Sequence, residues 1–274
     1  MANHSDAQGK NIIITGGASG LGAEYAEVFL KLGAKNIAIL DIAEKVGEAT
    51  AARLNESKPN CVIFVKCDVS DESNIQKAFD EVVDKFGRID VLVNNAGIMN
   101  DSPAFFRTAC DVNWKGLVSF TYKAIYHMSK EEGGVGGTII NISSTAALTK
   151  FPYLPTYNGT KIAVLHFTQC LAMEPFYQTT GIRLLTICFG PTDTPLLQGL
   201  EKRAYTEKRR KDFEEIIPRL NIKFQKVESA VNSFIKMFET GSPGSIWLSC
   251  KDRPVQDITS AIDNTFAELN KLII

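Results

Sequence analysis

The sequence lacks the features that mark membrane, secreted and nucleic-acid-binding proteins. No segment approaches the roughly 20 apolar residues that span a bilayer, and residues 1–9 are polar where a secretory signal has its apolar core. Lysine and arginine number 30 against 31 acidic residues, so the net charge of −1 predicts no basic surface for nucleic acid or an anionic membrane. We therefore expect a cytoplasmic protein with no membrane span and no nucleic-acid partner.

Cysteine and histidine are also scarce. The six cysteines form no C-x-x-C pair and the three histidines stand far apart, so the sequence predicts neither a disulfide framework nor a metal site. Because the cysteines lie in apolar segments, we expect reduced thiols in the core. What remains is a chain of 274 residues, 45% of them hydrophobic, with no internal repeat and no linker. That predicts one domain over residues 1–274.

Short apolar runs alternate with amphipathic segments along the chain. The runs are rich in β-branched residues, which predicts buried parallel strands over 11–15, 36–40, 61–66, 89–93, 138–142 and 182–188, and a last strand over 245–248. Helical patterns separate most of these runs. The sequence therefore predicts an α/β fold, a doubly wound, Rossmann-like domain whose mostly parallel seven-stranded sheet carries helices on both faces.

A glycine-rich turn, TGGASGLG over 15–22, joins the first predicted strand to an amphipathic helix over 23–32. Glycines let a backbone approach a pyrophosphate closely, and the helix N-terminus supplies free N–H groups and a positive dipole end. The alternative is a tight turn without a ligand. The contacts predicted here are Gly16, Ser19, Gly20, Leu21 and Gly22.

Asp41 ends the second predicted strand, about 20 residues beyond the last glycine of the turn, where a ribose-binding carboxylate belongs. Its oxygens would accept hydrogen bonds from the ribose hydroxyls and repel a 2′-phosphate. That predicts NAD rather than NADP as the cofactor. A second role for Asp41, capping the helix predicted over 43–55, is compatible with this one.

Polar and small residues follow the later strands, at the sheet edge where such folds bind ligands. Asp68 has two open roles, since its carboxylate could accept a hydrogen bond from an adenine amino group or from the backbone. The cofactor contacts predicted at these strand ends are Asp68, Val69, Asn95, Ala96, Gly97, Gly190, Thr192 and Thr194.

Tyr157 and Lys161 stand one helical turn apart and project from the same face. A neighbouring positive charge lowers the pKa of a phenol from ~10, so Tyr157 could exchange a proton with an alcohol or ketone near neutral pH. By itself the pair is also compatible with a solvated helix face. Ser144 ends the fifth predicted strand and brings a hydroxyl to the ligand edge. Asn113, among apolar residues, either faces solvent or bonds across a helix kink.

Together these residues strongly resemble the short-chain dehydrogenase/reductases over nearly the whole chain. The stretches NIAILD (36–41), GGVGGTIINISS (133–144) and YNGTKIAVLHF (157–167) are most similar to the insect-type alcohol dehydrogenases and the NAD-dependent hydroxyprostaglandin dehydrogenases of that family. The resemblance implies a catalytic tetrad of Asn113, Ser144, Tyr157 and Lys161. In it Tyr157 is the acid/base, Ser144 holds the substrate oxygen, Lys161 binds the nicotinamide ribose, and Asn113 holds a water next to Lys161.

The family usually has Pro-Gly after the sixth strand, and this chain has Phe-Gly-Pro at 189–191; we expect the turn to form nevertheless. The candidates for the substrate pocket are mostly apolar and are Met99, Ser144, Thr145, Phe151, Pro152, Tyr153, Pro191, Leu196 and Leu197. They suit a hydrophobic alcohol or ketone, such as a terpenoid, retinoid, fatty, steroid or prostanoid alcohol. The alternative is a catalytically silent NAD-binding sensor or structural homologue, for which an intact tetrad has no use.

Two further expectations concern the surface. Residues 195–220 follow the sixth strand without a clean helical stripe, which predicts a substrate lid. The helices around 111–128 and 157–177 carry more apolar residues than one sheet-facing stripe needs, so we expect a homodimer or a tetramer built from it. The residues predicted to supply this second face are Val118, Ala124, Ile162, Leu165 and Leu171.

Overall fold

A computed structural model describes residues 6–220 and 222–273, and an eight-stranded sheet is its central element. The strands are β1 Asn11–Thr15, β2 Asn36–Asp41, β3 Val62–Lys66, β4 Val91–Asn94, β5 Gly137–Ser144, β6 Ile182–Phe189, β7 Ile246–Ser249 and β8 Gln256–Asp257. The order across the sheet is β3-β2-β1-β4-β5-β6-β7-β8, with all pairs parallel except β7–β8.

The helices of the described residues connect these strands. They are α1 Gly20–Lys31, α2 Glu44–Ser57, α3 Glu72–Phe86, α4 Phe106–Cys110, α5 Leu117–Met128, α6 Pro155–Leu171, α7 Phe176–Thr180, α8 Glu207–Ile216, α9 Val227–Thr240 and α10 Thr259–Asn270. A π-helical segment, Asp111–Gly116, joins α4 to α5.

Both faces of the sheet are covered, so its central strands are buried and mostly apolar. On one face, α1 and α9 pack through Tyr25 and Phe234, whose ring centroids stack 3.9 Å apart. On the other face, Phe79 of α3 and Phe120 of α5 belong to a second core cluster. Strand β1 is buried over its whole length, as expected for a parallel strand between two layers of helices. The predicted doubly wound α/β fold is confirmed.

The strand order reverses between β1 and β4. From β1 the chain adds β2 and β3 on one side, and then β4, β5, β6 and β7 on the other. In such sheets the ligand crevice opens outside the carboxyl ends of the strands at this reversal. The glycine turn follows β1 and residues 95–97 follow β4, so the fold brings both predicted cofactor segments to one place.

The sheet has one strand more than the seven predicted. The additional strand β8 has two exposed residues, which pair antiparallel with Trp247 and Leu248 of β7. So short a polar strand buries nothing and leaves no hydrophobic pattern in the sequence. The following helix α10 was also not predicted; it packs on α6, where the rings of Phe266 and His166 lie 5.2 Å apart.

Two surface expectations need correction. Ala124 and Leu165 were predicted to form a second apolar face, but both are buried in the core of this chain. Leu171 and Val118 are partly buried, and only Ile162 of that set is exposed.

The cysteines are all free, yet Cys170 is exposed and only Cys67 and Cys188 are buried, so the expectation of core thiols holds for these two alone. Within 6–220 and 222–273, no helix is long and apolar enough to cross a membrane.

Candidate active site

A cavity of about 1220 Å³ opens at the carboxyl edge of the sheet, across the reversal of strand order. Of the residues predicted for the site, those that line it are Gly16, Ser19, Gly20, Leu21, Asp41, Asn95, Ala96, Gly97, Met99, Ser144, Thr145, Phe151, Tyr157, Lys161, Gly190, Pro191, Thr192, Thr194, Leu196 and Leu197. Those that do not are Gly22, Asp68, Val69, Asn113, Pro152 and Tyr153.

The turn after β1 needs glycine for two separate reasons. Gly16 has φ +64°, and a Cβ there would lie 2.8 Å from the Cα of Ala96. Gly22 does not line the cavity, but its Cβ would lie 2.2 Å from the carbonyl oxygen of Gly16 and so would push the turn away from α1. Ser19 precedes α1 without capping it by a side-chain hydrogen bond. The first-turn N–H groups of α1 are therefore available to an anionic group, as a dinucleotide pyrophosphate requires.

Asp41 lies where β2 ends and lines the same cavity. Its Oδ2 accepts a hydrogen bond from Ala18 N–H at 3.1 Å, and its Oδ1 accepts one from Ala43 N–H at 3.0 Å. The first bond ties Asp41 to the glycine turn; the second holds the residue that precedes α2. Each carboxylate oxygen retains a lone pair, so the ribose role and the structural role are compatible.

Asn95 joins the ends of β1 and β4. Its side-chain amide donates to the carbonyls of Thr15 and Gly16, both at 3.0 Å, while its own N–H donates to the Thr15 hydroxyl. The preceding Asn94 is buried and donates to Asn141 Oδ1 at 2.8 Å. These amides fix the crevice between the two strands.

Asp68 and Val69 do not reach the cavity. The Asp68 carboxylate accepts the N–H and the hydroxyl of Ser70, at 2.8 and 2.6 Å, so it serves the turn before α3. The sequence left two partners open for Asp68, an adenine amino group and the backbone, and the structure shows the contact with the backbone. Val69 is buried beneath Gly116, where an added Cβ would lie 2.3 Å from the Val69 carbonyl oxygen.

Tyr157 and Lys161 occupy successive turns of α6, and both are buried at the cavity wall. The Lys161 Nζ lies 5.8 Å from the centroid of the Tyr157 ring and donates to the Ile142 carbonyl at 3.0 Å. At the end of β5, the Ser144 hydroxyl lies beside the Tyr157 side chain and donates weakly to the Phe189 carbonyl at 3.3 Å. Two hydroxyls and an ammonium thus belong to the lining of one cavity.

Asn113 lies behind this group, in the π-helical segment. Its Oδ1 accepts from Ile98 N–H at 2.8 Å, and its Nδ2 donates to the Ile98 carbonyl at 2.8 Å and to the Thr160 hydroxyl at 3.1 Å. The solvent-facing alternative is therefore wrong. Asn113 does lie in an irregular, π-helical segment, but its side chain bonds to the loop after β4 and to α6 and not across a kink of its own helix. Gly97 separates Asn113 from Lys161, since a Cβ there would lie 3.4 Å from Asn113 Oδ1 and 3.6 Å from Lys161 Nζ.

The electrostatics of the pair differ from the sequence prediction. Burial raises the pKa of Tyr157 to about 12, and the hydrogen bond from Ser144 opposes this only in part. Burial also lowers the pKa of Lys161 to about 8. The predicted lowering of the Tyr157 pKa by Lys161 is thus wrong for the protein's own groups, because removal from water destabilises both the phenolate and the ammonium. The Tyr157 hydroxyl is strongly held in its protonated form.

The substrate half of the cavity is mainly apolar, as predicted, but part of its lining had no signal in the sequence. Apolar lining residues that the sequence analysis did not name as pocket residues include Ile98, Phe105, Leu200, Ile217, Pro218, Leu220, Ile222 and Phe224, four of which lie within the predicted lid. Tyr153 was placed in the pocket wrongly: its ring stacks on Phe213 of α8, with centroids 4.7 Å apart, and so supports the wall from behind. Residues 195–220 contain the regular helix α8, which Thr206 caps through Arg209 N–H.

The turn after β6 forms in spite of its unusual Phe-Gly-Pro. Gly190 N–H donates to the Ser249 carbonyl at 2.8 Å, which continues the pairing of β6 with β7. The side-chain amide of Gln225 donates to the Thr192 hydroxyl at 2.9 Å, and that hydroxyl donates to the Gly190 carbonyl at 3.0 Å. Thr192 and Thr194 are thereby held at the cavity wall.

Comparison with known proteins agrees with this geometry. The family model for short chain dehydrogenases matches residues 10–204. The 15-hydroxyprostaglandin dehydrogenase (NAD(+)) of Mus musculus is 40% identical over 195 residues, 71% of this chain and 71% of that protein. Alcohol dehydrogenase 1 of Ceratitis cosyra is 34% identical over 243 residues, 88% of this chain and 91% of that protein.

A solved structure is similar over a comparable span. The 3-ketoacyl-(acyl-carrier-protein) reductase from Brucella melitensis, complexed with NADH, superposes with a TM-score of 0.73 at 28% identity, covering 90% of this chain and 98% of that one. Sequence and structural similarity thus extend over the glycine turn, the sheet and α6 together. The chain belongs to the short-chain dehydrogenase family.

Proposed function

We propose that this protein is an NAD(H)-dependent oxidoreductase that interconverts a hydrophobic alcohol and its ketone. The observation that carries the proposal is the position of the buried Tyr157, beside Ser144 and one turn from Lys161, in the same cavity as the glycine turn and Asp41. A protein that only binds a nucleotide needs the glycine turn and Asp41, but it has no use for a serine hydroxyl beside a buried tyrosine in the same cavity. This favours an enzyme over a catalytically silent sensor.

The residues present fit a dinucleotide. Gly16, Gly20 and Gly97 line the cavity without side chains, and the N-terminus of α1 opens onto it. Asp41 would accept the adenosine ribose hydroxyls, and Lys161 would hold the nicotinamide ribose. NAD(H), when bound, supplies or accepts the hydride. Relatives whose names specify NAD(+) support this choice of cofactor.

The chain's own groups would manage the proton. In oxidation, Tyr157 would take the proton of the alcohol, and in reduction it would return a proton to the ketone oxygen. Ser144 would donate a hydrogen bond to that oxygen and stabilise the charge that develops on it. Asn113 would keep the loop after β4 and α6 in register, since its amide bonds to Ile98 and Thr160 at once.

The substrate class follows from the lining. Met99, Phe151, Leu196 and Leu197 face the substrate half, so a bulky apolar alcohol or ketone fits better than a small polar one. Terpenoid, retinoid, fatty, steroid and prostanoid alcohols all meet this description. We also propose that residues 195–220 act as the lid over that half. A cytoplasmic location stays a prediction from the sequence.

A panel of such alcohols tests the proposed function directly. The purified protein should reduce NAD with at least one apolar secondary alcohol as the substrate. The formation of NADH is followed by absorbance. Binding of NAD without turnover of any alcohol or ketone would favour the silent sensor instead.

Asp41→Ala should weaken the use of NAD and relieve the exclusion of NADP. A hydrogen bond to a charged group contributes ~1.5–3 kcal/mol, which corresponds to a loss of about 10- to 100-fold in kcat/KM for NAD. Asp41→Asn is the closer substitution, because it keeps the shape of the side chain and one acceptor oxygen, for either Ala18 N–H or Ala43 N–H, but removes the negative charge. This variant should also relieve the exclusion of NADP, and its kcat/KM for NAD should fall less than that of Asp41→Ala. A wild-type preference for NADP would contradict the assignment.

We also propose a homodimer. The surface that remains exposed on α5 and α6 carries Tyr122, Tyr126 and Ile162, with Tyr126 71% exposed. Apolar patches of this kind mark interfaces, and two-fold dimers are the commonest assembly. Light scattering at micromolar concentration should give twice the chain mass, and Tyr126→Glu should reduce it. A monomeric wild-type protein would refute the dimer.

A further inference from the structure

Asp101 is a buried carboxylate in the loop between β4 and α4, only 1% exposed. One of its oxygens accepts a hydrogen bond from Tyr157 N–H at 3.0 Å, and the other accepts one from Thr156 N–H. Both donors belong to the first turn of α6, 55 and 56 residues further along the chain. Burial raises the pKa of this carboxyl, although both N–H groups act in the opposite direction.

Helix α6 has no cap of its own. The residue before its first turn is Leu154, which has no side-chain acceptor, and Pro155 follows at the first helical position. The next N–H groups therefore need an acceptor from elsewhere, because no helical carbonyl precedes them. Asp101 supplies one oxygen to each, and its negative charge lies at the positive end of the helix dipole.

The backbone of Asp101 contacts the segment proposed as the lid. Asp101 N–H donates to the Arg203 carbonyl at 2.9 Å. The Arg203 guanidinium in turn donates to the carbonyls of Met99 at 3.3 Å and Leu196 at 2.9 Å, and to that of Gln198. Arg203 thus ties the start of the lid to the loop that carries Asp101.

We propose that Asp101 is a positioning residue, which fixes Tyr157 by holding the N-terminus of α6 and connects that position to the lid through Arg203. The inference rests on the proposed function for its catalytic consequence, but not for its structural one. Tyr157 is the third residue of α6 and receives the cap directly, whereas Lys161 lies a turn further in. Loss of the cap should therefore displace the Tyr157 hydroxyl from Ser144 and leave Asp41 and the glycine turn in place.

The first experiment needs no activity. Amide hydrogen exchange by mass spectrometry compares the peptide covering 154–160 in the wild type, Asp101→Ala and Asp101→Asn. We expect faster exchange there in both variants, more in Ala than in Asn, because Asn keeps one acceptor oxygen, with no change at the C-terminal half of α6. If Asp101→Ala does not fold, Asp101→Asn gives the same comparison. Unchanged exchange in this peptide would overturn the proposal.

The second experiment separates positioning from stability. Asp101→Asn should lower kcat by about 10- to 100-fold, since a small displacement of a reacting group has that effect, with Kd for NAD close to the wild-type value. Asp90→Asn is the control: its carboxylate is equally buried and accepts Asn11 N–H at 2.9 Å, but lies at the opposite edge of the sheet. That variant should lower Tm and leave kcat unchanged. Equal losses of kcat in the two variants would overturn the proposal.

The third experiment tests the connection to the lid. Arg203→Met removes the three carbonyl contacts and should raise KM for the alcohol. If Asp101 and Arg203 act through one loop, the double variant should lose less in kcat/KM than the product of the single losses. Losses that multiply fully would show that the two residues act independently and would overturn the connection. A wild type that oxidises no alcohol would remove the proposed function, yet the exchange experiment would still decide whether Asp101 holds α6.

Discussion

Tyr157→Phe should bind NAD(H) as the wild type does and lose turnover by ~10²–10⁴-fold, the usual contribution of a general acid or base. The substitution keeps the ring and its packing in the buried wall of the cavity and removes only the hydroxyl that meets Ser144. Nothing in the glycine turn or around Asp41 changes. The loss should therefore fall on kcat, with cofactor binding preserved.

The control for this variant is Tyr25→Phe. Tyr25 is also fully buried, and its hydroxyl has no hydrogen-bond partner within the part of the chain that the structure describes. Removing that hydroxyl should leave turnover unchanged. NAD binding followed by fluorescence and turnover in the alcohol panel decide the outcome. If Tyr157→Phe binds NAD normally and turns over within tenfold of wild type, Tyr157 is not the acid/base.

The rate of alcohol oxidation should rise with pH, whereas the rate of ketone reduction should not change across the neutral range. Burial raises the pKa of Tyr157 to about 12, so the hydroxyl is protonated across the neutral range. Ketone reduction uses that protonated form, and its rate should be insensitive to pH there. Alcohol oxidation uses the phenolate, so its rate should rise with pH until Tyr157 is deprotonated. The positive charge of the oxidised cofactor favours the phenolate and should bring this rise to lower pH than in the free protein.

Ser144→Ala should lower kcat by ~10²–10³-fold, the cost of removing one donor to a developing oxyanion. Ser144 is the last residue of β5, and its hydroxyl lies beside Tyr157. A substrate oxygen bound there would contact both hydroxyls. The same hydroxyl accepts Ala146 N–H at 3.1 Å, so part of the effect is loss of the local turn. Ser144→Thr keeps the hydroxyl and should recover a part of the activity that Ala loses.

The control for this variant is Ser233→Ala on α9. Ser233 is buried and lies away from the cavity, and its hydroxyl donates to the Ser229 carbonyl at 2.8 Å within its own helix. It should change Tm slightly and kcat not at all. Separate measurement of kcat and KM tests the role of Ser144: a variant that raises only KM would show that the hydroxyl binds substrate without stabilising the transition state.

Much of the site could be predicted because its signals are local. The glycine turn directly follows an apolar strand, and Tyr157 and Lys161 are one turn apart on one helix, so a short stretch of sequence contains each pattern. Asp41 stands at a fixed distance from that turn for the same reason. Where the sequence left two roles open, the structure chose between them: the Asp68 carboxylate accepts the backbone N–H and the hydroxyl of Ser70 and does not line the cavity.

By itself, the sequence determined the first seven strands, the helices between most of them, the side chains at the strand ends and the spacing within α6, because all of these follow from periodicity and adjacency. The tertiary structure alone decided that Asn113 bonds to Ile98 and that Asp101 caps α6, since both contacts join separate elements. It also decided the protonation of Tyr157. A pKa depends on how much water the fold removes from around a group, and no spacing of residues along a chain specifies that.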